Sequence, residues 1–68
     1  MTWLRMDLTA GAKVHIESVS PTLVRALIEW PDGNMDARCD GCVEGALDML
    51  DTACMERRAA KREAAREG

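Results

Sequence analysis

Along the first forty residues the apolar positions recur mainly at every second residue. In "WLRMDLT", Leu4, Met6 and Leu8 alternate with Arg5 and Asp7. In "KVHIES", Val14 and Ile16 alternate with Lys13, His15 and Glu17. "LVRALIEW" then places Val24, Ala26, Ile28 and Trp30 on one side. A period of two is the signature of a strand with one buried face. Turn chemistry separates the runs: Gly11 in "TAGA", Pro21 in "SPT", and Pro31 with Gly33 in "PDGN". Proline presets φ and glycine accepts the left-handed region. This predicts an antiparallel meander of three strands, or four with "WLRMDLT" as the first.

The Pro31–Asn34 turn also predicts a register. A four-residue hairpin loop would set Trp30 against Met35, Ile28 against Ala37 and Ala26 against Cys39, apolar beside apolar or small. A slip by one residue would set Trp30 and Ile28 against Asp36 and Arg38. The first register points Cys39 towards the core and packs Trp30 against Met35.

From Gly41 the period lengthens. Val43, Ala46, Leu47, Leu50, Ala53 and Cys54 follow helical spacing, with Glu44, Asp48 and Asp51 off the stripe. Asp40 is the expected N-cap, and Gly45 a weak point within the helix. Past Met55 the stripe thins into "ERRAAKREAAREG", a helix-forming stretch with little to bury. The fold class that follows is α+β: a small antiparallel β-meander packed by one long C-terminal α-helix. Residues 1–55 would form a single ββββα domain and residues 56–68 a charged helical extension.

Composition changes this picture in three places. At 68 residues, with 3% aromatic content, the core is small and built from aliphatic side chains. Chains of this size often rely on a disulfide, a metal or a second copy, so a homodimer is expected. No run approaches the ~18 apolar residues of a membrane span, and no secretory pattern opens the chain, so a cytoplasmic protein is expected. Arginine outnumbers lysine seven to two, alanine occurs ten times, and Phe and Tyr are absent. That usage suggests a high-GC gene, from an actinobacterium or one of its phages.

Charge is unevenly spread. Residues 1–54 hold four basic and nine acidic groups (−5), and residues 55–68 hold five basic and three acidic (+2), which sums to the net −3. An acidic body disfavours nucleic-acid binding, which needs excess Lys and Arg. Arg58, Arg62 and Arg66, with Arg57 and Lys61 beside them, nonetheless make a helical ridge that could touch nucleic acid or an acidic protein surface.

Three cysteines are an odd number, so no disulfide framework is indicated. Cys39 and Cys42 have C-x-x-C spacing, which supplies two of the four ligands zinc requires. Cys54 lies twelve residues beyond Cys42 on the same helix. That is ~18 Å at helical rise, too far to share an ion whose bonds to sulfur are ~2.3 Å. His15 falls on the polar side of its strand. A zinc site would therefore have to be shared between two chains. A redox pair lacks the parallel βαβ setting such motifs use, and packing accounts for Cys39 and Cys54 as small buried hydrophobes.

A lone His15 without a neighbouring nucleophile, and no phosphate-binding loop, lead to the expectation that the chain is not an enzyme. The leading expectation is a small interaction or regulatory protein that binds another protein, with no cofactor. Trp3, Leu23, Leu27, Arg58, Arg62 and Arg66 are its candidate contact residues. A zinc-stabilised module using Cys39 and Cys42, or an accessory nucleic-acid contact through the C-terminal helix, are the alternatives.

Overall fold

The computed structural model describes residues 1–67, so the last residue of the expected 56–68 extension lies outside the described residues. Five elements follow in order: α1 (Thr2–Thr9), β1 (Lys13–Ser20), β2 (Leu23–Glu29), β3 (Met35–Asp40) and α2 (Val43–Glu67). The strands form one antiparallel sheet in the order β1-β2-β3, and α2 packs across β2 and β3. The α+β meander under a long C-terminal helix is thus the fold.

The segment read as a first strand is instead a helix. Leu4 and Leu8 share a face in either conformation, so they do not discriminate between them. Asp7 does. In α1 it lies one turn from Leu4, and both are buried, whereas Met6 and Leu8 are exposed. Helix α1 packs beside α2, and Asp51 of α2 accepts the free backbone N–H of Leu4 at 2.8 Å. One orphan donor of a short helix is thereby satisfied from another element. At the other end Ala12 N–H reaches the Asp7 carbonyl and Gly11 N–H the Leu8 carbonyl, a Schellman closure with Gly11 at φ +108°.

The β2–β3 register is also one residue away from the expected one. Trp30 and Asn34 bracket a three-residue loop: Trp30 N–H donates to Asn34 at 2.9 Å and Gly33 N–H to Trp30 at 2.9 Å, with Gly33 at φ +90°. This is a tight turn closed by a left-handed glycine rather than a four-residue loop. Ile28 therefore opposes Asp36, Ala26 opposes Arg38, and Arg25 opposes Cys39. Cys39 is exposed, not directed to the core, and Met35 is exposed rather than packed under Trp30.

The slipped register is tolerated because the part of α2 above β3 is polar. Arg38 pairs with Asp36 at 3.2 Å and reaches Glu56 of α2 at 4.0 Å. The core sits between the middle strand and the first half of α2. Ala26, Ile28, Ala46, Leu50 and Cys54 are wholly buried there, joined by Leu4, Ala12 and Trp30. No helix among the described residues is long and apolar enough to cross a membrane.

Candidate functional site

A cleft of about 580 Å³ opens where α1, the β2–β3 turn and the second half of α2 meet. Trp3, Met6 and Asp7 come from α1, Trp30, Pro31 and Asp32 from the turn, and Arg57, Arg58, Lys61 and Arg62 from α2. The spacing of those four cations explains their convergence. Positions 57, 58, 61 and 62 are two adjacent pairs set four residues apart, on one side of the helix. Two aromatic rings, four cations and two carboxylates thus share a single concavity.

Its inner wall is a buried polar network. Trp30 Nε1 donates to Asp7 Oδ2 at 2.8 Å, and Arg58 donates to Asp7 Oδ1 at 2.5 Å. Burial alone would raise the Asp7 carboxyl, but hydrogen bonds from Trp30, Cys54 and Arg58, with the Arg58 charge, outweigh it and hold the group below its ordinary range. The Cys54 thiol moves the opposite way. Burial, the hydrogen bond to Asp7 and the charges of Asp7 and Asp51 push it up to about 12. Cys54 is therefore a protonated, chemically quiet packing group. Arg58 Nε is buried and makes no hydrogen bond.

The outer wall is wetter. Arg57 stacks 4.5 Å from the centroid of the Trp30 ring and pairs with Asp32 at 2.5 Å. Lys61 approaches the same carboxylate at 3.5 Å. Asp32 is held below its ordinary range chiefly by the Asn34 backbone N–H; burial opposes this, and the Arg57 and Lys61 cations lower the group further. Asp7 and Asp32 offset two of the four cations, which leaves an excess of two positive charges at the mouth.

Of the expected contact residues, Trp3, Arg58 and Arg62 meet in this cleft. Arg66 lies one turn further along, beside a separate depression with Ala59, Arg62 and Glu63. Leu23 and Leu27 are not part of it. They sit on β2 with Arg25, on the sheet face turned away from α2, where Leu27 opposes His15 and Arg25 pairs with Glu17. Arg57 and Lys61 belong to the expected ridge but not to the candidate contact residues, and Trp30 and the two aspartates are not expected at all. The doubled i, i+4 spacing of Arg57–Lys61 and Arg58–Arg62 was the available signal for part of the set.

The cysteine pair occupies a different end of the molecule. Cys42, not Asp40, is the N-cap of α2: its carbonyl accepts from Ala46 and its Sγ from Gly45 N–H at 3.3 Å. The Asp40 carboxylate lies over Gly45 so closely that a Cβ there would fall 1.6 Å from Oδ2. Glycine at that position accommodates the carboxylate. Cys39 points out from β3, and among the described residues no three His, Cys, Asp or Glu side chains gather as a metal-holding group. Comparison with protein-family models, with curated proteins and with solved structures finds no match to this chain.

Proposed function

We propose that the chain is a small non-enzymatic binding protein whose cleft takes an acidic segment of a protein partner. The carrying observation is the joint presence of Trp3, Trp30 and four cations around one cavity that holds only two carboxylates. Tryptophan and arginine are the residues that most often dominate binding energy when they cluster in a concave site. The excess charge selects for anionic ligands, and the half-buried Trp3 indole offers apolar contact to the stems of Asp and Glu. His15 lies on the far side of the sheet, opposite Leu27, and Cys54 is buried and protonated, so neither brings a reactive group into the cleft.

Trp3 and Trp30 are the only aromatic residues, so intrinsic fluorescence reports on the cleft directly. Titration with the peptide (Asp-Glu)5 is expected to give a saturable change in emission. Lys61→Glu with Arg62→Glu, two exposed positions, should weaken it at least tenfold while the far-UV circular dichroism stays unchanged. An oligothymidylate of ten residues serves as the competing anion. Tighter binding of that oligonucleotide than of the peptide, or peptide binding indifferent to the double substitution, would overturn the reading.

A further inference from the structure

The two edges of the sheet are not alike. On the α2 side of β3 stand Asp36, Arg38 and Asp40, and inward-facing charges of this kind discourage another strand from docking. The corresponding side of β1 carries Val14, Ile16 and Ser18. Ile16 faces the same way as its buried neighbour Ala26, yet it is 47% exposed, because α2 covers β2 and β3 and stops short of β1. Next to it, on the same face, an apolar pocket of about 340 Å³ is lined by Met1, Leu4, Arg5, Leu8, Val14 and Leu47. Strand β1 thus has eight residues of free backbone edge and an unfilled apolar pocket beside it.

We propose that a second copy of this chain fills both, by antiparallel pairing of β1 with β1 about a two-fold axis through His15. A two-fold axis normal to the sheet keeps inward residues opposite inward residues, so few registers are possible. An axis at Glu17 opposes Glu17 to its own copy and Ile16 to Ser18. An axis at Ile16 pairs that residue with itself but leaves Val14 against Ser18. An axis at Val14 sets Ile16 against Ala12 and Lys13 against His15. Only the axis at His15 joins Val14 to Ile16 of the other copy twice, and Lys13 to Glu17 of the other copy twice. Both charge pairs are then opposite in sign, and each Ile16 enters beside the other copy's Val14, at the rim of its apolar pocket. Opposed apolar and opposite-charge pairs are the units that stabilise an antiparallel ladder. The six-stranded sheet so formed buries the one edge whose inward side carries no charge.

Sedimentation velocity on the full chain is expected to show a dimer that Ile16→Lys converts to monomer without loss of circular dichroism. Lys13→Glu should weaken the dimer at least tenfold, and Lys13→Glu combined with Glu17→Lys should restore it. The axis itself is tested with single cysteines in a Cys39→Ser, Cys42→Ser background, Cys54 being buried. His15→Cys should oxidise to a covalent dimer faster than Ile16→Cys or Glu17→Cys. A chain that stays monomeric at millimolar concentration, a dimer unmoved by Ile16→Lys, or preferential cross-linking at position 16 or 17 would each overturn the proposal.

Discussion

Asp7 concentrates the residue-scale physics of this protein. It is a carboxylate only 4% exposed that accepts from Trp30 and Arg58, residues 23 and 51 positions away. Its folded pKa lies below its unfolded one, near the ordinary ~3.9 of an aspartate. A depressed acid binds fewer protons folded than unfolded. It therefore adds stability above the unfolded pKa and loses that contribution as pH falls through the folded value. Breaking a buried ion pair costs about 3–5 kcal/mol. Arg58 is about one-third exposed, which lowers the expectation for Asp7→Asn to about 2 kcal/mol at pH 7. Urea denaturation from pH 7 to pH 2 should show the gap between the two proteins closing as Asp7 is protonated. A gap that stays constant to pH 2 would mean that the charge contributes nothing and only the shape of the side chain matters.

Elements differ in how much of them the sequence exposes. The hairpins and α2 were legible because periodicity and turn residues are local signals. Helix α1 was not, because Leu4 and Leu8 satisfy both periods, and the group that decides, Asp7, finds its partners far along the chain. The β2–β3 register was misread for a related reason. "PDGN" permits either loop length, and the charges of Asp36 and Arg38 count against the inner face, yet that face lies under the polar half of α2, where Glu56 meets Arg38. The candidate site was half legible: Trp3, Arg58 and Arg62 stood out as contact residues, but nothing local says that Trp30 and Asp32 come to meet them. The same contacts divide α2 into two functional lengths. Among the described side chains Arg57 and Arg58 are the last half-buried ones of α2, and the positions from 59 to 66 are exposed. Removing residues 63–68 should leave the melting temperature within about 3 °C, since the side chains described there, 63 to 66, are exposed. Removing residues 57–68 uncovers Trp30 and strips Asp7 of its cation. With roughly 4–8 °C per kcal/mol for a domain this small, the melting temperature should fall by more than about 10 °C. Equal melting temperatures for the two truncations would show that the Arg57 and Arg58 contacts carry no stability.

The whole molecule places an acidic body under a basic helix end, and the two jobs of those cations separate at this scale. Arg58 is committed to a buried carboxylate, while Arg57 and Lys61 share the exposed Asp32. Arg62 lines the cleft at an exposed position further along the helix. Salt discriminates between these uses, because the screening length falls from ~10 Å at 0.1 M to ~3 Å at 1 M and buried pairs feel it least. Exposed pairs add little to folding even when unscreened. Raising sodium chloride from 0.1 to 1 M is therefore expected to weaken binding of (Asp-Glu)5 more than tenfold. The melting temperature of the free protein should move by less than about 3 °C, because the core and the Asp7 pair are shielded. The β1-mediated dimer, with apolar pairs at its centre, should persist. Fluorescence titration, thermal melting and sedimentation at the two salt concentrations give the three readings on one sample. Loss of folding stability in parallel with peptide affinity would assign the cluster to holding α1 and the turn together, leaving no excess charge for a partner.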